Sequence, residues 1–515
     1  MPLAQLTRLS TKTNCTKKEC TRRINGTIKR SRKNIGADFN RKHTLQHSIL
    51  SKNLFMNDDL DICHHFAKFV AETRYEDLPA DAIEAAKKTI LDTLGVTLAA
   101  SGMEPAVRAL VELLQQGGGS AESTVLGFGG KLPAISAAFA NGSMAHCLDF
   151  DDQTPWGAHA ASSIVPSVFA IAERMGGVSG RRLITAVAIG QDLFARVRCN
   201  VGWNQNWNLS SMVGAFSATA SAAYMLGLSA EQTAHALGIA SQQSCGTMEV
   251  IFATGSDLRG MYAGFTAKGA VIAALLAQKG ITGINTLFEG KAGIFNVYFG
   301  GKYDRQKMLE GLGEQFLGST TLYKAWPAVG NSHTYIHATI ELMKEKAIAA
   351  KDIETIRTFV GDFTYTMCTP LGVRRAPATL VDAKMSLPFI VGIAASKGKM
   401  GIADFSEAAL KDPDVLAMAA KVVPVQDPNQ NWTFKLPDGR IEIVTRDGQV
   451  FERIGDSIPG SPEAPLTWEQ LSDKFSSCAS VAAVPFRDSA IKNAQDLIHQ
   501  LEHVADATDI IRALA

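Results

Sequence analysis

The chain has no cysteine pair spaced for a metal knuckle, almost no net charge, and no apolar run of about 18 residues evident as a membrane span. Its eight cysteines (Cys15, Cys20, Cys63, Cys147, Cys199, Cys245, Cys368 and Cys478) are scattered. That argues against a disulfide framework, a zinc ribbon or an iron–sulfur site, and fits a reducing, cytoplasmic compartment. A formal charge of +1 carries no nucleic-acid signature. No secretory signal, HExxH zinc motif or Walker-spaced phosphate loop is present. Gly127–Lys131 resembles a phosphate loop only superficially and reads as a turn.

What is present begins with length. A chain of 515 residues exceeds one compact core and predicts two domains, an arrangement compatible with one inserted in the other. The first 55 residues hold thirteen Lys/Arg and two acids, leaving 38 basic and 48 acidic residues for the remainder. This basic, hydroxyl-rich stretch lacks apolar periodicity and is expected to be disordered. It reads as an upstream extension, with a mitochondrial presequence or a basic arm as the other readings.

From residue 56 to about 320 the pattern is helical. Ile83, Ala86, Ile90 and Leu94 share a helix face after Pro79, and Leu183, Val187, Gly190 and Phe194 repeat the spacing. Residues 215–227 and 263–280 are crowded with Ala, Gly and Ser, which allows close helix packing. Residues 321–458 read as a smaller α/β domain. Strands are predicted over 353–365, 432–436 and 440–445, a hairpin turn at Asp447-Gly448, and a helix capped by Ser386 with Pro388 in its first turn. A Pro/Gly-rich linker (Pro459, Gly460, Pro462, Pro465) leads to further helices over 468–478 and 489–515. The fold class is therefore mainly α: a large all-helical domain, a smaller α/β lid domain inserted before the C-terminal helices, and residues 459–515 returning to the helical body.

The segment richest in chemistry runs from Asn141 to Pro166. Asp149, Asp151, Asp152, His146 and His159 fall within fourteen residues. If the preceding helix continues, Asp149 and Asp152 share a face. Pro155 and Gly157 then break the chain, and His159 precedes a helix that Ser162 or Ser163 would cap, whose N-terminus attracts anions. A carboxylate orienting an imidazole beside an anion site is an acid/base arrangement, with His159 as the base and Asp149 as the expected orienting carboxylate. A solvated acidic turn and a metal site are the competing readings. His333 and His337, four apart, form a weaker ligand pair. His64 and His65 read as one core and one surface residue, and Arg374-Arg375 as a solvated loop or an anion guide.

The run AHCLDFDD (145–152), the loop His159 and SSIVPS (162–167) together resemble the signature of the MmgE/PrpD family. ILDTLGVTLAA (90–100), VLGFGGKLP (125–133) and LGLSAEQTAHALGIASQQSCG (226–246) extend the likeness, which covers roughly residues 58–515. That family includes 2-methylcitrate dehydratases, cis-aconitate decarboxylases and iminodisuccinate epimerases. The resemblance implies a helical body with a lid, a cleft between them, a homodimer, no metal or organic cofactor, and a small di- or tricarboxylate substrate. It places Asp149, His159, Lys324 (in YKAWPA) and, loosely, Tyr365 at catalytic positions. Gln153, Asn208, Arg259 (in DLRGMYAG) and Tyr262 fall at substrate-binding positions. Departures are concentrated there: Gln153 replaces Thr, Asn208 and Tyr262 replace His, and Val329 stands where the lid carries His. The losses weigh against cis-aconitate decarboxylation and leave proton abstraction next to a carboxylate, dehydratase-like or epimerase-like, as the expected chemistry. A metal-dependent hydrolase using Asp149, Asp152, His146 and His159 is a second expectation, and a non-catalytic ligand-binding member a third.

Overall fold

A computed structural model describes residues 60–433 and 436–515. The expected basic extension over 1–55 lies outside the described residues. Asp61–Ala515 form one compact unit.

The helical body begins with α1 (Ile62–Glu72), whose N-terminus is capped by the Asp61 carboxylate accepting from the Cys63 N–H. Helix α2 (Ala80–Met103) starts after Pro79; Ala86, Ile90 and Leu94 are buried as their spacing requires, while Ile83 is half-buried. Helix α3 (Pro105–Gly117) stops at Gly118, whose φ of 63° suits glycine. The short strands β1 (Ser123–Thr124) and β2 (Lys131–Leu132) pair around the glycine turn 127–130. Then follow α4 (Ala134–Cys147), α5 (Ala161–Arg174), α6 (Gly180–Cys199), α7 (Leu209–Leu226), α8 (Ala230–Ala240) and α9 (Leu258–Gln278).

Helices α7 and α9 are long and apolar enough to cross a membrane by length and composition, yet 89% and 67% of their apolar windows are buried inside the protein. Helix α7 has 18 residues without a charge, which corrects the expectation that no such run exists. It packs on α5, α6 and α9, so its apolarity serves a helix covered by other helices. The small residues do what their size suggests. At the α4–α9 crossing a β-carbon on Gly264 would strike the Ser143 hydroxyl and the Phe139 carbonyl oxygen, and one on Gly142 would lie 2.9 Å from the Ala267 Cβ.

The remainder builds a four-stranded sheet in the order β4-β3-β5-β6. Strand β3 (Ile353–Val360) runs parallel to β4 (Val422–Gln426) and antiparallel to β5 (Ile441–Thr445); β5 and β6 (Val450–Arg453) form the hairpin through Asp447-Gly448. Helices α10 (His333–Glu345) and α11 (Leu387–Lys397) pack against the sheet and each other. Their shared core includes Tyr335, Ile356, Phe389 and Ile443 and is distinct from that of the helical body. Helix α12 (Trp468–Ala479) packs back on α2.

Several local expectations are corrected. Strand β3 ends at Val360, and Asp362–Tyr365 turns helical. Trp432, Thr433 and Leu436 are not in a strand, and 434–435 lie outside the described residues. Ser386 precedes α11 but its hydroxyl donates to the Arg374 carbonyl instead of capping. Arg374 is buried and Arg375 half-buried. They donate to the Thr369 and Val422 carbonyls, bracing the backbone, not a solvated loop. Residues 489–515 are interrupted: helix α13 (Asp488–His499) is followed by a single turn at Leu501–His503 and a short helix at Asp509–Ala513. His64 and His65 are both half-buried.

Candidate active site

Helix α4 ends at Cys147, and the chain reverses at Asp149, which has φ of 51°. An Asp in the left-handed region is uncommon and marks a constrained turn. The helix therefore does not carry Asp149 and Asp152 on one face. The turn instead sends three carboxylates to three buried destinations.

The Asp149 carboxylate is clasped by two cations: one oxygen meets the Lys324 ammonium, and the other accepts from Arg259 Nη2 at 2.6 Å. Lys324 also donates to the Asp149 carbonyl at 2.8 Å. Lys324 reaches this position because the backbones of Gln153 and Leu322 pair in both directions, at 2.9 and 2.8 Å. Burial alone would push Asp149 up; Lys324 and Arg259 outweigh it and hold the carboxyl well below the usual range. Asp151 accepts from His146 Nδ1 at 2.9 Å, and His146 Nε2 in turn accepts from Arg259 Nη1 at 2.9 Å. Burial raises Asp151, but His146 and His159 outweigh it and bring it to about 2. Asp152 turns its Oδ1 to the Ala161 N–H at 3.1 Å, doing the N-terminal capping of α5 expected of Ser162 or Ser163. Burial and the adjacent Asp151 charge push the Asp152 carboxyl well above its ordinary value.

His159 follows a tight loop with positive φ at Gly157 and Ala158. Its Nδ1 lies 2.6 Å from the Asp152 carbonyl, which can only accept. Nδ1 therefore carries the hydrogen, and Nε2 is the basic nitrogen of the neutral ring. Asp151, 3.5 Å from the same nitrogen, supports that orientation; Asp149, the expected orienting carboxylate, is engaged by Lys324 and Arg259. Burial lowers the His159 pKa to about 3 against the opposing pull of Asp151, with Lys324 and His146 adding to the fall. Its backbone N–H donates to Ser210 Oγ at 3.0 Å, and the same hydroxyl bonds Tyr262. Burial raises the Tyr262 phenol, which stays a protonated donor.

His159, Gln153, Asn208, Arg259 and Tyr262 all line one cleft. Asn208 caps α7, its Oδ1 accepting from the Ser211 N–H at 3.4 Å, while its buried Nδ2 has no acceptor among the described residues. Asp149 and Lys324 lie behind Arg259 and do not line the cleft; Tyr365 packs against the second core, and Phe363 lines the cleft instead. Arg198 also lines it: buried near the end of α6, it donates to the Trp156 carbonyl and stacks 5.5 Å from the Trp203 ring centroid. Burial draws its pKa down to about 10, so it remains cationic at neutral pH. Arg198 and Asp151 were not assigned roles from sequence, and His146 was assigned one only as a ligand in the metal-dependent reading. Arg196 and Arg198 inside an otherwise apolar helix end were the available signal, since Arg is almost never buried without a purpose.

The metal reading meets a different arrangement. His146, Asp151 and His159 bring ligand atoms within 4.8 Å of one another. Asp149 and Asp152, however, are committed to the clasp and to α5. A guanidinium N–H already occupies His146 Nε2, and the Lys324 charge nearby disfavours a dication. His333 opens α10 buried, bonded to the Ala328 carbonyl and packed on Trp326, and is not gathered with His337 around a third ligand among the described residues.

With a helical body, a cleft built on the 149–159 turn and this buried charge network described, comparison with known proteins defines the class. The MmgE/PrpD N-terminal domain matches residues 64–306 and the MmgE/PrpD C-terminal domain residues 326–500. The chain belongs to the MmgE/PrpD family. It is 25% identical to a cis-aconitate decarboxylase of Aspergillus terreus, over 88% of this chain and 95% of that one. A cis-aconitate decarboxylase of Mus musculus is 24% identical over 88% and 93%, and a 2-methylcitrate dehydratase of Cupriavidus necator 24% identical over 74% and 82%.

Proposed function

We propose that this protein is a lyase acting on a small di- or tricarboxylate, removing a proton next to a carboxylate without metal or redox cofactor, with 2-methylcitrate dehydratase-like chemistry as the leading form. The observation that carries this is His159: neutral, with Nε2 basic, in a cleft that also holds Arg259 and Tyr262. A proton α to a carboxylate is weakly acidic, so its removal needs a positioned base and cations facing the developing enediolate-like charge. His159 Nε2 takes the proton. Arg259, braced by Asp149 and His146, and Arg198 face the carboxylates; Arg suits a bidentate grip. As the electron pair forms the double bond, the β-hydroxyl leaves with a proton from Tyr262, giving water. Asn208 Nδ2 is a further donor to substrate oxygen.

Decarboxylation is the second reading, favoured by the longer match to cis-aconitate decarboxylases. The α/β part is proposed to act as a lid over the cleft. A homodimer is proposed as well, supported by exposed Leu258, Phe265 and Leu276 along α9. A cytoplasmic setting is supported by six described free cysteines.

The test is proton NMR in D2O with 2-methylcitrate, citrate, cis-aconitate and iminodisuccinate. Deuterium entering next to a carboxylate is expected, with the product showing which group leaves. His159→Ala is expected to keep its circular dichroism and lose exchange. Exchange that survives His159→Ala removes His159 as the base, and no exchange by the intact protein across the panel removes the reaction class.

A further inference from the structure

The reaction just proposed concerns a few carbon atoms, yet the cleft continues past its polar groups into a wall of aromatic rings. Trp203, Phe363 and Trp432 all line it, each half-buried. Their centroids form a closed triangle: 5.9 Å between Trp203 and Phe363, 6.0 Å between Trp203 and Trp432, and 6.0 Å between Phe363 and Trp432. Ile251 and Met248 extend the apolar lining.

The three rings come from segments far apart in sequence, and the chain ties those segments together. Asp362, next to Phe363, accepts from the Trp432 backbone N–H at 3.1 Å and from Gln205 Nε2 at 3.3 Å, two residues beyond Trp203. Gly157, two residues before His159, approaches Trp432 so closely that a β-carbon there would lie 3.0 Å from the indole. The aromatic wall therefore adjoins the loop that carries the base.

Charge sharpens the reading. Arg198 and Arg259 are the two Lys/Arg side chains lining this cleft, and Arg259 is already bound to Asp149. A compact tricarboxylate such as citrate brings three negative charges and nothing to cover three aromatic rings. Carboxylates turned toward the faces of these rings would lose water without gaining partners there, the Trp432 Nε1–H, which has no acceptor among the described residues, being the donor the wall offers.

We infer that the substrate carries an apolar substituent longer than methyl, seated against Trp203, Phe363 and Trp432, with its carboxylates toward Arg198 and Arg259. This rests on the reading of the cleft as a carboxylate lyase site and narrows its substrate class.

Affinity and turnover separate the two claims. Dissociation constants of 2-methyl-, 2-propyl- and 2-hexylcitrate are measured by calorimetry on His159→Gln protein, in which turnover is blocked. Turnover of the same series is measured on the unmodified protein. Affinity is expected to tighten about threefold to fourfold per methylene from methyl to propyl, as burial of apolar carbon predicts. Trp203→Ala is expected to flatten that trend, and Trp203→Phe, which keeps a ring and guards against misfolding as the explanation, to retain most of it. Affinity that is flat or weakens with chain length overturns the inference, even if methylcitrate is turned over. So does a trend unchanged in Trp203→Ala. Rising affinity without turnover of any member upholds the apolar subsite and discards the lyase reading. No binding by any member overturns both.

Discussion

Asp149 shows how one backbone torsion decides the chemistry of a residue. Spacing placed it on a helix face, and the family resemblance placed it beside His159 at a catalytic position. A φ of 51° instead turns it back between Lys324 and Arg259, and a backbone carbonyl orients His159. The residue types at the site were legible in the sequence because Asp and His crowd into fourteen positions. Their pairings were not, because Lys324 and Arg259 arrive from over a hundred residues away. The orientation of His159 has a measurable consequence. Its folded pKa is depressed to about 3 from an ordinary 6.5, so the imidazole stays neutral as the pH falls through 6.5 and is protonated only well below it. The acid limb of kcat/KM, which reports the free enzyme, is expected below pH 5. By linkage, the protein also loses stability as pH drops from about 6.5 toward 3, where the unfolded chain takes up a proton that the buried ring refuses. A kcat/KM inflection near pH 6.5, matched by an NMR titration of the His159 ring at the same pH, would show a solvated imidazole and contradict the burial.

At the scale of elements, the small-residue helices were readable as close-packed, but not which crossing mattered. The pair α4 and α9 sets the site: α4 carries His146 in its last turn and α9 carries Arg259 and Tyr262 near its start. Their separation fixes the 2.9 Å bond between Arg259 and His146 and the 4.3 Å approach of the Tyr262 and His146 rings. Gly264 and Gly142 permit that separation. Gly264→Ala drives a methyl into the Phe139 backbone, which cannot swing aside as a side chain would. Overpacking of this kind costs about 1–3 kcal/mol, and the displaced α9 carries Arg259 away from His146. Urea denaturation and kcat/KM are both expected to fall. Gly372→Ala, where a β-carbon meets nothing within 4 Å, is the control and is expected to change neither. An unperturbed Gly264→Ala protein would mean that the two helices are not held at this distance. The sheet elements were less legible than the helices. The strand expected over 353–365 loses its end to a helical turn at 362–365, and that turn is what brings Phe363, not Tyr365, to the cleft.

Across the described residues, the apolar core of the helical body and that around Tyr335 and Phe389 are joined by polar clamps that no local pattern announces. The Lys384 ammonium pairs with Glu104 at the start of α3 and donates to the Cys147 carbonyl at 3.1 Å, two residues before Asp149. Asp382 accepts from the Gly255 N–H at 3.0 Å, just ahead of α9. Both clamps therefore grip the helical body where the 149–159 turn and the Arg259 helix begin. Both groups of the Lys384–Glu104 pair are buried, and removing one partner strands the other's charge, at a cost of about 3–5 kcal/mol, whereas a neutral pair of similar size loses far less. Lys384→Met is thus expected to uncouple these cores: calorimetry is expected to show one unfolding transition for the intact protein and two for the variant, with the core around Tyr335 and Phe389 melting first. The double variant Lys384→Met/Glu104→Leu should restore much of the coupling, because no charge is left buried alone. A single, unshifted transition in Lys384→Met would place the coupling in apolar contacts and leave the ion pair without a role in holding the cleft.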